Sequence, residues 1–289
     1  MKEKIFAAFF ILLFFISATF AQQTFETTKL LNTHTVESLK TGFLDFRITH
    51  RFDDMFPNWS AIDAYHNYIG FDNSSDIRIA FEVGITEDLM VGYGRSKGAG
   101  DFREVHDLFG KYKILKQDEK MPVTISVVQN TNLTGMRRNE EDPTVITNLP
   151  KFVHRFSYLT QILVARKFSD RLSLQITPTY LHRNFVLFDD ENDLFAIGIA
   201  GKVQISKVTS LIFDAQYPFS NFRSVTNKGK YFFPVGLGLE FKSGKHVFDI
   251  NFTNARAINE NDYLTTTKSD WFNGEFRFGF TISRLFKIF

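Results

Sequence analysis

Seven histidines are the residues best suited to proton transfer in this chain: His34, His50, His66, His106, His154, His182 and His246. A hydrolytic site needs one of them within reach of a nucleophile, with a third group to orient the imidazole. None stands at a recognisable spacing from a serine and an acid or amide, and Ser220 in Tyr217-Pro218-Phe219-Ser220 has no such partner. No enzyme is expected. The acidic run Asp189, Asp190, Glu191, Asn192, Asp193 and the group Asp72, Asn73, Asp76 offer hard oxygen ligands, but not in the order of a calcium loop. They read as solvated loop charges, so neither metal nor cofactor is expected. With no cysteine there is no disulfide and no thiolate metal site. A net charge of +2 is too balanced to argue for nucleic acid.

The other charged residues carry more information, because many sit at alternate positions opposite apolar ones. Asp45, Arg47, Arg78, Glu82, Lys111, Lys113, Glu275 and Arg277 share a phase, and Lys202, Asp214, Glu240 and Asp249 join them. Phe46 and Ile48, Ile79 and Phe81, Tyr112 and Ile114, and Phe276, Phe278 and Phe280 fill the opposite phase. A period of two belongs to strands. The same alternation recurs at Leu89–Tyr93, Val123–Val127, Phe156–Val164, Leu172–Tyr180, Phe195–Ile205, Leu211–Tyr217, Phe233–Phe241 and Phe248–Phe252.

Alternation alone fits a half-solvated sandwich as well as a barrel, and the connections separate the two. Long links such as 53–75, 131–150 and 255–270 alternate with tight ones such as 86–88, 169–170 and 206–208. That rhythm predicts an all-β chain, a transmembrane up-and-down antiparallel β-barrel of about 12 strands, with long loops outside and short turns in the periplasm. A surface facing lipid also accommodates 35 phenylalanines. Tyr93, Tyr158, Tyr180 and Tyr217, with Trp271, fall where an aromatic girdle would sit at the headgroup level. Pro178 breaks a strand interior and implies a bulge.

Lys2 and Lys4, the apolar run 5–16 and the small residues up to Ala21 make residues 1–21 a secretory signal peptide. Residues 22–40, polar and Thr-rich without a period, are expected as a periplasmic lead-in segment, and residues 41–289 as the barrel. An even strand count then puts both termini in the periplasm and the chain in the outer membrane.

The last stretch ends in alternating aromatics and Phe289. It resembles the closing strand of bacterial outer-membrane barrels, which the barrel-assembly machinery reads; Phe289 itself is out of phase with the stripe, where Ile288 is in phase. The fragments His50-Arg51-Phe52, Phe71-Asp72-Asn73 and Gly94-Arg95-Ser96 sit within strands and loops of this pattern. Together they resemble a Gram-negative outer-membrane β-barrel family known only as a domain of unknown function, over residues 41–289. The resemblance implies the architecture and supplies neither substrate nor catalytic residue.

Expected partners are outer-membrane lipid and lipopolysaccharide, whose phosphates Arg137 and Arg138 could meet; no soluble partner is indicated. The inward charges could form a constriction that selects solutes. Alternatively, they could neutralise one another as a salt-bridged filling, which their near balance of sign favours. Phe56, Trp59, Tyr65, Tyr68 and Phe71 in the first long loop could form an aromatic platform for a ligand, or the loop could fold into the mouth or pack on the rim. The expected function is a narrow pore or uptake channel for a small solute. The alternative is a non-conducting structural or binding barrel whose outer loops dock a partner.

Overall fold

Strands form wherever the sequence alternates. In the computed structural model, which describes residues 23–289, they are β1 (Phe43–Asp54), β2 (Ser74–Gly84), β3 (Leu89–Ser96), β4 (Val105–Leu115), β5 (Thr124–Thr134) and β6 (Phe156–Lys167). The second half adds β7 (Leu172–Arg183), β8 (Asp193–Gln204), β9 (Thr209–Phe219), β10 (Val235–Ser243), β11 (His246–Thr253) and β12 (Arg277–Lys287). Each pairs antiparallel with its neighbour in the chain, and β12 pairs with β1, so the sheet closes into a barrel of twelve strands. Closure leaves no unpaired edge, which hydrocarbon would not tolerate. The expected architecture and strand count both hold. The signal peptide read at residues 1–21 lies outside the described residues.

Three of the tight turns reuse one device. The hydroxyls of Thr86, Ser169 and Ser206 accept the backbone N–H of Leu89, Leu172 and Thr209, three residues on, at 2.9, 3.1 and 3.1 Å. A short hydroxyl side chain closing its own turn explains why these links need so few residues. Pro178 does not make the expected bulge. It stays in register opposite Ile197 of β8, and on the β6 side the pairing is interrupted between Gln161–Thr179 and Val164–Ile176 without a shift. The missing N–H removes a ladder bond and the strand runs on.

Residues 23–40 are the main departure from expectation. They do not lie outside the short turns as a periplasmic lead-in. They rise into the lumen, where Phe25, Leu30, Leu31 and Val36 are buried against Met90, Phe109, Val128, Leu163 and Ile212 of the wall. These wall residues point inward, so the interior is part apolar, and apolar surface withdrawn from water stabilises the insertion.

Where the segment leaves the lumen it crosses Gly84 closely. A Cβ there would lie 2.2 and 2.6 Å from the carbonyl oxygens of Lys40 and Leu39. Gly84→Ala is therefore expected to destabilise the folded chain by about 1–3 kcal/mol through overpacking. The gel shift between folded and heat-denatured protein should then occur at a lower temperature than in the parent.

Candidate functional site

The segment in the lumen is a small hairpin. A bridge joins Lys29 and His34, with Leu30 N–H to Thr33 O and Thr35 N–H to Thr28 O, both 2.9 Å. Its turn places Leu31 and Asn32 at the tip. The base is tied by the Glu37 carboxylate, which accepts the N–H groups of Thr24 and Phe25. None of these bonds joins the ladder of the wall. The hairpin is a separate body, held covalently through Lys40.

Wall side chains grip it from around the ring. Lys111 on β4 donates to the carbonyls of Thr28, Thr35 and Glu37 at 2.8, 2.9 and 2.9 Å. Arg47 on β1 donates to Lys29 O at 2.9 Å and to the Thr28 hydroxyl, which itself donates to Glu82 on β2. Asp214 on β9 accepts the N–H groups of Asn32 and Thr33 and the Asn32 amide. Gln175 on β7 accepts from Val36 N–H and donates to His34 O. Glu26 meets Lys202 and Lys242 near the base. Apart from the exposed Glu26–Lys242 pair, each grip pairs a buried polar group that could not stand alone. Gly236 and Gly238 belong to the same fit: a Cβ at either would come within 2.9–3.0 Å of Leu31.

A second insertion comes from the other end. The last long loop folds inward over residues 255–267, with a short helix α2 (Glu260–Thr266) capped by the Asn259 side chain; α1 is Ala61–His66 in the first long loop. Ala255, Ala257, Ile258, Tyr263 and Leu264 are buried, several against Leu159, Leu181 and Leu194 of the wall. The two insertions meet at an ion pair, Lys29 Nζ to Glu260 Oε1 at 2.7 Å, fully removed from solvent. Arg51 on β1 reaches both, donating to Leu31 O and Asn32 Oδ1 of the hairpin and to Ala255 O and Ala257 O of the loop.

Burial pushes the Asp262 carboxyl on this loop up to about 7, helped by the like charges of Asp76 and Asp101 and opposed by Asn259 and Arg183. A carboxyl raised above its unfolded value of 3.8 favours the docked loop while protonated, and that contribution is lost as pH climbs through about 7. Amide exchange over residues 258–264, corrected for intrinsic rate, should therefore be faster at pH 8 than at pH 5. Asp262→Asn should shrink the difference; an unchanged contrast in that variant would refute the assignment.

The charges expected in the lumen separate into distinct groups. Asp45, Arg47 and Glu82 do cluster, with Arg47 3.0 Å from Asp45 and 4.0 Å from Glu82. Arg78 is occupied by Asp107, at 2.9 and 2.6 Å. Lys113 lines a cavity of about 430 Å³ at the short-turn end, with Glu26, Glu37 and Asp45. Glu275 and Arg277 do not join Asp45 and Arg47. The register sets Asp45 opposite Leu285 and Arg277 opposite Asp54, at opposite ends of the β1–β12 seam. Arg277 instead bonds Asp54, Ser269 and Asn254 O. Glu275 lies ahead of β12 and accepts Asp270 N–H. Antiparallel pairing explains this, since the start of the last strand faces the end of the first.

Sequence reasoning missed Lys29, Asn32 and Glu260, and it gave His34 no place in the lumen. One signal was available: Leu159, Leu163, Leu181 and Leu194 occupy the inward phase, and greasy residues there require something other than water inside. The girdle residues Tyr93, Tyr158, Tyr180 and Tyr217 are exposed on the outer wall, with Tyr93 bonded to His106 and Tyr180 to Asp193. Trp271 stacks on Phe276. Asp190 of the acidic run is engaged by Arg183 and Arg223. In the first long loop Phe56 is partly covered, and Trp59, Tyr65, Tyr68 and Phe71 are exposed.

A closed ring with a lipid-type exterior and an occupied interior defines a transmembrane β-barrel. The chain belongs to the family described as a membrane bound beta barrel domain (DUF5777), whose model matches residues 25–286 and so takes in the hairpin as well as the ring. Among solved structures it is similar to an outer membrane channel from Pseudomonas putida F1, at 9% identity and a TM-score of 0.50, over 87% of this chain and 98% of that one. It is also similar to the KdgM porin in complex with disordered oligogalacturonate (6% identity, TM-score 0.49, 84% and 98% covered). The NanC porin is a third (8% identity, TM-score 0.48, 84% and 98% covered). At these identities the likeness is one of fold. No curated protein matches the sequence.

Proposed function

We propose that the chain is an outer-membrane channel for a small solute, closed at rest by its own residues 24–39, with long loops outside and both termini in the periplasm. The observation that carries this reading is that the hairpin fills the lumen while sharing no ladder with the wall. A twelve-stranded ring lies between the eight strands that side chains can fill and the sixteen that hold an aqueous channel. Its interior therefore needs a filler or holds a passage. Here the filler is a tethered segment held by hydrogen bonds and ion pairs, which water can replace as the segment moves, together with the apolar contacts of Phe25, Leu30, Leu31 and Val36. Withdrawing it breaks none of the bonds that close the barrel.

The test is single-channel recording in planar bilayers, on the whole chain and on a chain lacking residues 24–39. The proposal expects a silent or rarely opening parent and discrete current steps after the deletion. If both are silent while correctly folded, and a chain whose inward loop 255–267 is shortened as well is silent too, the channel reading fails and a non-conducting structural or binding barrel takes its place.

A further inference from the structure

The first long loop, residues 55–73, does not enter the mouth. It crosses the long-loop end of the seam where β12 meets β1, with Phe71 on the outer wall and Pro57 and Asn67 on the side of a cavity shared with Arg256, Thr266 and Lys268. Phe71 packs on Phe52 of β1 and Phe278 of β12, at ring separations of 4.9 and 5.4 Å. Both partners are in the outward phase of their strands, the phase that faces lipid. The loop is fixed there by Met55 N–H to Phe276 O and Phe56 N–H to Gly274 O, at 2.8 and 3.1 Å, and by the Trp59 indole N–H to Phe272 O at 2.9 Å.

Much of what the loop presents outward is apolar, beside the exposed Asn58, Asp63, His66, Asp72 and Asn73. Trp59 is 59% exposed, Ile62 61%, Tyr65 77% and Tyr68 69%, and within α1 only Ala64 is buried. The loop thus builds almost no core of its own. With Ala64 turned inward, Ile62 lies between Tyr65 and His66 on the outward side of α1, and Asp63 flanks the helix on the side away from Tyr65.

We propose that this loop is an interfacial anchor, lying in the headgroup–acyl boundary of the bilayer that holds the barrel, beside the β1–β12 seam. Continuity selects lipid as the occupant, because Phe71 extends the outward stripe of Phe52 and Phe278 without a break. Trp and Tyr rings favour that depth, where the ring is dry and the polar atom stays wet. A short amphipathic helix in the plane of the membrane binds by the same balance. The position also has a use. The ladders of β1 shift register after Arg51 on both sides, so the long-loop end of the seam is its least regular part, and an anchor there would shield it.

The chain has no cysteine, so a single introduced thiol is a unique probe. Tyr65→Cys and, as a control on the side away from it, Asp63→Cys would each carry a nitroxide, in full-length protein reconstituted in phosphatidylethanolamine–phosphatidylglycerol liposomes. At position 65, collisions with oxygen should exceed those with a water-soluble nickel chelate several-fold, and position 63 should show the reverse. Equal, water-like accessibility at both positions would overturn the proposal in favour of a platform facing solvent. Spin–spin broadening at position 65 that vanishes on dilution with unlabelled protein would also overturn it, since a second copy would then cover the face. Trp59 gives an independent reading. In Trp271→Phe protein its fluorescence should be quenched by lipids brominated near the glycerol end and little affected by iodide; quenching by iodide alone would sink the idea.

Discussion

Deleting residues 24–39 should convert a quiet barrel into a conducting one while leaving the ring folded. The ring's hydrogen bonds run from β1 through β12 and back, and none involves the hairpin. What the deletion removes is the cover over Met90, Phe109, Val128, Leu163 and Ile212, and the partners of Lys111, Asp214 and Gln175. Exposing apolar side chains to water costs about 1.5–3 kcal/mol each when burial was complete. The polar groups lose less, because water enters with the deletion and solvates them. The melting temperature should therefore fall, with the strand spectrum retained at room temperature. The loop 255–267 still reaches in from the far end, but it loses Lys29 as the partner of Glu260. Openings should accordingly be interrupted in the single deletion and sustained when that loop is shortened too. Silence in the doubly altered, folded barrel would end the argument for a passage.

Arg51→Met should loosen both insertions at once, with the largest effect of any single replacement in the lumen. One guanidinium spans two oxygens of the hairpin and two of the inward loop, and it is fully buried. Hydrogen bonds to a charged group contribute about 1.5–3 kcal/mol each, and buried acceptors left without a donor lose that again in desolvation. Against this stands the relief of no longer burying a cation, so the net is expected at about 3–5 kcal/mol. That loss falls on docking of the insertions rather than on the ring. It should appear as a raised open probability, and as faster protease cleavage within residues 24–39, with only a small change in ring melting. Arg51→Lys keeps the charge but lacks the planar fork, and should fall between parent and Met. If Arg51→Met matches the parent in both current and cleavage, Arg51 is not the latch.

The architecture was legible from the sequence because its causes are local. A strand in a bilayer must show lipid every second residue, so Phe276, Phe278 and Phe280 declare their face without reference to any other strand. Turns of the Thr86, Ser169 and Ser206 kind close within a few residues, so the long–short rhythm, and from it the number of strands, is also written locally. The charge groups were only half legible. Phase told that Arg47 and Arg277 point inward, but which charges meet depends on pairing across the closure. Closure sets Arg277 against Asp54 at one end of the seam and leaves Arg47 to Asp45 and Glu82 nearer the other.

The filling of the barrel was decided by tertiary structure alone. Residues 24–40 and 255–267 carry no period, since neither is a strand of the wall, and their place follows from fit to a concave surface assembled from many strands. Lys111 reads in the sequence as one more inward charge. Only the closed ring brings it to three carbonyls of a segment more than 70 residues upstream. Lys29 and Glu260, 231 positions apart, form their ion pair for the same reason. Alternation within a strand fixes which way a side chain points; what it meets there is set by the curvature of the whole sheet, and no short stretch of chain contains that information.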